Sequence, residues 1–280
     1  MERAPEEIRV APYTLDVDAN GTITEIHGKP FDKVAFSRLK FGSFADLKHF
    51  AREIVGALPL GSIDDNTIIT SAAYTYTPTA GSLLARHVQT MLNAGRKNPL
   101  DILKLHTPPI DENYSSLSLE GRRAYLDRSP YHIDKELVRG KHILVVDDIC
   151  VTGGHEEGVR RLLRKVKVAK ITFAYVATMD THGNTPIENQ LNNMAVNSLD
   201  DLEKILSGEG AAITEKTCKY ILGEQDLKKL EFFLVWVPEN VVYRIYAAAV
   251  NNGYSQNSAY APQIALLRTE MMRREEKLLE

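Results

Sequence analysis

One segment, residues 141–155 (KHILVVDDICVTGGH), constrains the fold of this chain more than any other. Its four apolar residues, 143–146, predict a central strand of a parallel sheet. Asp147 and Asp148 follow at the carboxyl end of that strand, where open α/β sheets bind ligands. The small residues at 152–154 then predict a tight turn that opens a helix.

The predicted turn has the composition of an anion-binding site. Successive backbone N–H groups at the start of a helix point toward a bound anion, and the helix dipole favours negative charge there. Gly153 and Gly154 let the backbone approach a phosphate without a Cβ in the way. The two neighbouring carboxylates can accept hydrogen bonds from hydroxyl groups or hold a hydrated Mg²⁺. The segment therefore predicts acidic groups and a phosphate cradle side by side.

The sequence around this segment alternates between strands and helices. Apolar, β-branched runs predict strands at residues 67–73, 101–105, 141–148 and 170–179, and helical periodicity covers residues 79–92 and 154–166. Such alternation predicts an α/β fold with a parallel sheet flanked by helices on both faces. Ahead of it, Asn20-Gly21 between two β-rich runs predicts a hairpin, and residues 43–58 predict a helix.

The C-terminal region carries no further strand pattern after residue 180. It predicts an all-helical region with helices at residues 198–206, 214–222, 226–237, 241–250 and 263–279. The predicted organisation is an N-terminal hairpin and helix over 1–65, an α/β core over 66–182 and a helical region over 183–280.

Composition and charge restrict the expected partners. The chain is 44% hydrophobic and 25% charged, as in globular proteins, and its formal net charge of -3 gives no reason to expect nucleic acid or an anionic membrane as a partner. Its acidic start does not resemble a signal peptide, and its apolar runs are too interrupted to span a membrane. Two cysteines, Cys150 and Cys218, are too few for a disulfide scaffold. We therefore expect a cytoplasmic protein.

The segment 141–155 resembles the signature of the type I phosphoribosyltransferases, which bind 5-phosphoribosyl 1-pyrophosphate (PRPP). The resemblance implies that Asp147 and Asp148 are the catalytic acids at the ribose hydroxyls and hold Mg²⁺, directly or through water. It places the 5-phosphate on the loop formed by Val151, Thr152, Gly153, Gly154 and His155. The family usually has Thr or Ser where this chain has His155, and an aliphatic residue where it has Cys150.

Two further segments match the family in position. The residues in the place of the pyrophosphate loop are Ala72, Ala73 and Tyr74, in a stretch without the frequent pair of glycines. The long polar segment 111–134 takes the place of the mobile catalytic loop, and long loops in compact domains are often lids. Its lid candidates are Arg122 and Arg123, cations suited to a departing pyrophosphate. The segment 1–65 would contribute to the hood over the acceptor.

The resemblance implies a phosphoribosyltransferase of nucleotide metabolism. With Mg²⁺ it would move the phosphoribosyl group of PRPP to a nitrogen nucleophile, such as a nucleobase, and release pyrophosphate. It also implies a homodimer, with neither nucleic acid nor a membrane as a partner. Two alternatives stay open. One is a non-catalytic PRPP sensor on the same fold, suggested by His155 and the glycine-poor pyrophosphate loop, and the other is an interaction scaffold built on the C-terminal helices.

Other residues favour simpler interpretations. Two aspartates after a strand also occur in receiver domains and Walker B strands, but the chain has no G-x-x-x-x-G-K-[ST] motif and turns helical after one more strand. The basic run at 160–170 is typical of the solvated end of a helix. We expect one aromatic set to pack among helices rather than stack on bases: Phe232, Phe233, Trp236, Tyr243 and Tyr246.

Overall fold

The computed structural model describes residues 4–18, 20–26, 29–105, 132–180 and 185–279. By their contacts these residues form two compact units. The first unit comprises the described parts of Met1–Phe31, Lys48–Thr75 and Gly81–Asn189, and the second comprises those of Asp32–Leu47, Tyr76–Ala80 and Gln190–Glu280. The division predicted from the sequence, with boundaries after residues 65 and 182, stays a prediction. In the structure the N-terminal strands pair within the same sheet as the strands of the predicted α/β core.

The first unit is built on one sheet. Its strands are β1 (Glu6–Val10), β2 (Tyr13–Val17), β3 (Ile23–Glu25), β4 (Thr67–Ser71), β5 (Asp101–Ile102), β6 (His142–Cys150) and β7 (Lys170–Met179). The strand order is β3-β2-β7-β6-β4-β5, and β1 also pairs with β7. Only β2 and β3, the predicted hairpin, pair antiparallel among these strands. The predicted α/β fold with a mostly parallel sheet is confirmed.

Strands β1 and β2 share one edge of β7. Residues 6–10 pair with the first half of β7, and residues 13–15 pair with its last three residues. Pro12 interrupts the pairing between them, since proline has no backbone N–H to donate. The sequence predicts the hairpin but not β1, whose residues EEIRV are mostly charged and lack a clean apolar alternation.

The helices follow the predicted periodicity closely. They are α1 (Lys33–Lys40), α2 (Phe44–Ala57), α3 (Ala80–Asn93), α4 (Lys135–Val138), α5 (Gly154–Lys165), α6 (Thr185–Asn193), α7 (Leu199–Leu206), α8 (Glu215–Leu222), α9 (Leu227–Trp236), α10 (Glu239–Asn251) and α11 (Ala261–Leu279). Short 3₁₀ turns lie at Leu60–Ser62, Tyr254–Gln256 and Ser258–Tyr260. The sequence does not predict α1, α4 and α6, which are short and only weakly periodic.

Helix α5 packs on the centre of the sheet. Val159 and Leu163 from the helix form one buried cluster with Ile143 and Val145 of β6 and Phe173 of β7. Burial of each such side chain stabilises the fold by about 1.5–3 kcal/mol. Because alternate residues of a strand face opposite sides of a sheet, the other apolar residues of β6 face away from α5. This packing fixes the start of α5 at the carboxyl end of β6.

The second unit is a helical assembly around its own core. Most of its buried apolar side chains come from α7 to α11, such as Leu202, Ile221 and Ile245, and Phe41 after α1 joins the same cluster. Arg274 of α11 closes the end of α9 by donating to the backbone oxygens of Val237, at 3.0 Å, and Leu234. The same guanidinium donates to Glu270, at 2.6 Å. Among the described helices, none combines the length and the apolar character that crossing a membrane requires.

The aromatic residues of α9 divide between core and solvent. Phe233 is buried, but Phe232 and Trp236 are 61% and 62% exposed, with ring centroids 5.9 Å apart. The expectation that these aromatics all pack among helices is therefore wrong for Phe232 and Trp236. Neighbouring helix positions point about 100° apart, so adjacent phenylalanines do not both face one core.

Candidate functional site

Strand β6 continues through the two aspartates to Cys150 instead of ending at residue 148. Asp147 lies opposite Tyr175 of β7, and Cys150 lies opposite Thr178. Successive strand residues face opposite sides of the sheet, so the two carboxylates have different surroundings. Asp148 is 8% exposed and the side chain of Asp147 is 15% exposed. Both acids therefore lie within the carboxyl end of the central strand.

The turn after β6 has the geometry that its glycines predict. Gly153 precedes the first residue of α5 and has φ +71°, a left-handed conformation that glycine adopts without strain. Its carbonyl oxygen accepts the N–H of Glu157 at 2.9 Å, which closes the first helical turn. Val151 is buried, whereas Thr152 and Gly154 are exposed. The first N–H groups of α5 have no acceptor within their own helix, and Gly153 has no side chain to cap them. The hydroxyl of Thr152 accepts one of them, the N–H of Gly154, at a long 3.5 Å.

The imidazole of His155 contacts the carboxylate of Asp147. Its Nδ1 lies 3.1 Å from Oδ2 of Asp147. The other oxygen of Asp147, Oδ1, accepts the backbone N–H of Asp148 at 2.9 Å. Burial alone would lower the pKa of His155, but the hydrogen bond to Asp147 and the charges of Asp147, Asp148 and Glu188 raise it above its usual value. The imidazole of His155 therefore binds a proton more readily beside Asp147 than a free imidazole does.

Gly81, at the start of α3, lies against the same carboxylate. A Cβ added at position 81 would overlap Oδ1 of Asp147 and would lie 3.1 Å from its Cγ and 3.2 Å from its Cα. Only glycine leaves room for Asp147 here. The N-terminal turn of α3 thus helps to orient the acid, a role that the sequence did not indicate.

The residues in the place of the pyrophosphate loop leave the sheet beside the acids. Ser71, the last residue of β4, pairs with Val146 of β6, so Ala72 and Ala73 begin next to the aspartate pair. Further along, Tyr74 is accompanied by two cations. Nζ of Lys104 lies 4.1 Å from its ring centroid, and Nη2 of Arg86 lies 3.5 Å from its hydroxyl oxygen.

Neither Lys104 nor Arg86 is among the site residues that the sequence predicts. Lys104 lies two residues beyond the end of β5 and also donates to the carbonyl oxygen of Thr75. The predicted strand at 101–105 includes Lys104, whereas β5 ends at Ile102, so the early end of the strand places Lys104 at the carboxyl edge of the sheet. Arg86 lies inside α3, where the sequence pattern does not distinguish it from a solvated surface arginine.

Directly after His155, the carboxylate of Glu156 is buried among donors. Arg9 of β1 binds it through Nε at 2.9 Å and Nη2 at 2.6 Å, and Arg160 binds it through Nη2. Tyr175 of β7 donates its hydroxyl at 2.9 Å, and Cys150 places its Sγ at 3.7 Å. The sequence pattern suggests only an ordinary acidic residue in the first turn of a helix.

The donors keep Glu156 ionised. Burial alone would raise the pKa of Glu156, but hydrogen bonds from Arg9 and Tyr175 and the charges of Arg9 and Arg160 lower it below its usual value. Burial and the charge of Glu156 raise the pKa of Cys150 to about 11. The thiol therefore stays protonated at neutral pH and can donate to the carboxylate.

The proposed metal ligands fit Mg²⁺ only together with a ligand. Among the described residues, no group of three or more His, Cys, Asp and Glu side chains is placed to hold a metal ion. Magnesium in proteins is commonly held by one or two carboxylates with water and substrate phosphate oxygens. Asp147 and Asp148, which face opposite sides of β6, would each supply one carboxylate, directly or through water. The lid candidates Arg122 and Arg123 lie outside the described residues, as does most of the segment 111–134.

One edge of the sheet thus combines complementary groups. It carries two carboxylates, the start of α5 with a histidine, and the cations Lys104 and Arg86 beside the next loop. Carboxylates can accept hydrogen bonds from sugar hydroxyls, and backbone N–H groups with cations can bind phosphates. The arrangement suits a ligand that carries hydroxyls between phosphate groups.

Comparisons with known proteins found one sequence family and several solved structures. The sequence profile described as PRTase ComF-like matches residues 21–267. A hypoxanthine phosphoribosyltransferase from Staphylococcus aureus is 13% identical over 50% of this chain, with a TM-score of 0.34, and the match spans 66% of that protein, just under two thirds. A hypothetical protein from Neisseria gonorrhoeae, solved with bound ppGpp, is 13% identical over 55% of this chain and 95% of its own, with a TM-score of 0.32. No curated protein matches the chain.

Proposed function

The chain belongs to the PRTase ComF-like family, and from that membership we propose that it binds PRPP and transfers its phosphoribosyl group. Membership itself supports phosphoribosyl transfer in general; the donor, Mg²⁺ and the acceptor are our inference. The observation that carries the proposal is the placement of Asp147 and Asp148 directly ahead of the start of α5, where Gly153 is the N-cap residue and has φ +71°.

In this proposal the turn from Val151 to His155 binds the 5-phosphate. The N–H groups of the first turn of α5 donate to the phosphate oxygens, and the helix dipole favours the negative charge. His155 takes the place of the hydroxyl residue usual in the family. The raised pKa of its imidazole favours the cationic form, which could donate to a phosphate oxygen where the family has a hydroxyl.

The two acids have unequal roles in this proposal. Asp147 is already held by His155 and by the N–H of Asp148, so it serves as a fixed negative charge. Asp148 accepts hydrogen bonds from the ribose hydroxyls. During transfer the bond from the anomeric carbon to pyrophosphate breaks, and a bond to the acceptor nitrogen forms. Positive charge develops on the ribose ring, and these carboxylates stabilise it.

The leaving pyrophosphate takes both electrons of the broken bond. Lys104 and Arg86, beside Tyr74, are placed to balance part of that charge. Bound Mg²⁺, held by Asp147 and Asp148 with the phosphate oxygens, would supply further charge neutralisation. The acceptor nitrogen, if it carries a proton, releases it to water as the new bond forms.

A second candidate function is PRPP sensing without catalysis. The observation that favours it is the contact between His155 and Asp147, which occupies one oxygen of an acid assigned to the ribose. A sensor would bind PRPP with the same residues and produce no pyrophosphate with any nucleobase. Calorimetry and a pyrophosphate-release assay separate the two functions.

Calorimetric titration of the full chain with PRPP, with and without Mg²⁺, tests the proposal. We expect micromolar, Mg²⁺-dependent binding that weakens at least tenfold in Asp148→Asn, with little change in melting temperature. The matched control is Asp101→Asn, an exposed aspartate at the amino end of β5. The proposal fails if wild type shows no binding at millimolar PRPP, about -4 kcal/mol or weaker. It fails equally if Asp148→Asn binds like wild type.

A further inference from the structure

Glu156 is a buried anion at an exposed part of the fold. It lies in the first turn of α5, one residue after the predicted phosphate loop, yet it is only 2% exposed. Acidic residues in a first helical turn usually point to solvent, where they interact with the helix dipole. Burial of a carboxylate is unfavourable unless charged and hydrogen-bonding partners surround it. The structure supplies such partners from several elements.

These partners come from three strands and from the helix itself. Arg9 lies on β1, Cys150 on β6, Tyr175 on β7 and Arg160 one turn along α5. The two hydrogen bonds from Arg9 have the paired geometry of a strong guanidinium–carboxylate interaction. Glu156 therefore connects the start of α5 to the strands beside and beneath it.

A second layer of ion pairs extends this connection to β1. Arg160 also donates to Glu7 of β1 at 2.9 Å, and Arg164, one turn further along α5, donates to the same carboxylate at 2.8 Å. Two residues of β1 are thus bound to α5 by charged hydrogen bonds. Glu7 and Arg9, whose charges kept the sequence from predicting β1, are the residues that bind this strand to α5.

A contact between Cys150 and Glu156 joins the two ends of the turn. These residues immediately precede and follow the turn at 151–155, and Sγ of Cys150 lies 3.7 Å from Oε2 of Glu156. Both flanks of the turn are therefore held by one carboxylate. Phosphate binding at a helix start requires several N–H groups to converge on one anion. The affinity for phosphate therefore depends on how well the backbone of this turn is held in place.

We propose that Glu156 is the positioning residue of the phosphate-binding turn, and that Arg9 of β1 holds it in place. Glu156 does not touch the ligand in this proposal. It fixes the first turn of α5 against β6 and β7, so that the N–H groups of residues 153–155 stay aligned. The role rests on the proposed function where it concerns PRPP. The order of the turn itself is measurable without any ligand.

The test compares Glu156→Gln with Glu157→Gln. Glu157 is the neighbouring acid, also binds Arg160, and has a side chain that is 50% exposed, so it controls for loss of one charge from α5. Amide hydrogen exchange on the full chain, without ligand, reports the order of this turn through residues 157–159, whose N–H groups donate to carbonyl oxygens four residues earlier, as Glu157 does to Gly153 at 2.9 Å. We expect at least tenfold faster exchange in this turn for Glu156→Gln, with wild-type exchange in β4 and in α7 to α11. Glu157→Gln should exchange like wild type.

Arg9→Gln tests the same proposal if Glu156→Gln does not fold. Arg9→Gln removes a donor whose side chain is 51% exposed, so its effect on folding is smaller, and it should also speed exchange at 157–159. Unchanged exchange in this turn in the variants that fold overturns the proposal. Faster exchange that is uniform across the sheet also overturns it, because the residue would then serve stability alone.

PRPP titration of the same proteins separates this inference from the proposed function. We expect Glu156→Gln to bind PRPP at least tenfold more weakly than Glu157→Gln. If wild type does not bind PRPP, the proposed function fails, while the exchange data still decide whether Glu156 orders the turn. If wild type binds and Glu156→Gln binds equally well, the positioning role is refuted and the proposed function stands.

Discussion

The backbone of Gly81 lies directly against the carboxylate of Asp147, with no room for even a methyl group between them. The contact joins the start of α3 to the acid at the carboxyl end of β6. Asp147 is held on its other sides by His155 and by the N–H of Asp148. A carboxylate fixed from three directions cannot move without losing one of these partners.

Gly81→Ala should therefore impair ligand binding more than stability. The added Cβ displaces Asp147 from its contact with His155, so we expect PRPP affinity to fall at least tenfold. Alanine gains up to about 1 kcal/mol over glycine inside a helix, which offsets part of the strain. The melting temperature should stay within a few degrees of wild type. Calorimetry and thermal unfolding measure the two effects.

Gly56→Ala is the matched control for this substitution. Gly56 lies in α2, and a Cβ there would meet no atom within 4 Å. We expect this variant to gain stability and to bind PRPP as wild type does. Wild-type affinity in Gly81→Ala would show that the contact with Asp147 does not matter for the ligand.

His142, at the start of β6, makes the stability of the sheet depend on pH. It is buried, with Nε2 2.8 Å from the hydroxyl of Thr172 and Nδ1 3.2 Å from both the hydroxyl of Thr67 and the carbonyl oxygen of Ser62. Burial and the nearby charge of Lys170 lower the pKa of His142. The unfolded chain, with a histidine pKa of about 6.5, therefore takes up a proton before the folded chain does.

The contribution of His142 to stability should fall as pH drops below about 6.5 and level off below the lowered pKa of the folded state. Urea unfolding at several pH values between about 7.5 and 5 measures this slope. In His142→Gln the slope should be shallower than in wild type, whereas the exposed control His49→Gln should keep it. Equal slopes in wild type and His142→Gln would contradict the prediction.

Arg274 should contribute to the stability of the helical unit through α9. Its side chain is 10% exposed and satisfies backbone oxygens at the end of α9 as well as Glu270. Arg274→Ala leaves these buried acceptors without their donor, so we expect a loss of about 2 kcal/mol in the free energy of unfolding. The neighbouring Arg273 also binds Glu270 but is 42% exposed. Arg273→Ala should change stability much less, and equal losses would refute the capping role.

The parts of the fold that the sequence predicted depend on local signals. Each of these signals lies within one segment of the chain: the apolar run of β6, the glycines ahead of α5 and the periodicity of α7 to α11. Strand β1 has no such local signal, because its charged residues are matched by partners on α5, far along the chain. Strand periodicity cannot reveal a pattern whose explanation lies in another segment.

The candidate site shows the same division. The acids and the glycine turn follow from a motif, whereas the contact of His155 with Asp147 depends on how the turn folds back. The burial of Glu156 and the approach of Lys104 to Tyr74 require the sheet order. For Phe232 and Trp236 the sequence predicted burial from apolar character alone, and the structure places both side chains at the surface.

The shared edge of β7 also sets the order in which the first unit can be completed. Strands β1 and β2 are synthesised early, but their partner in the sheet is residues 170–179. Until those residues leave the ribosome, both strands have unpaired backbone groups along the edge that β7 will occupy. Such distant pairing slows folding and leaves time for contacts with other chains. The arrival of β7 is therefore the step that allows the N-terminal strands to dock and the ion pairs around Glu156 to form.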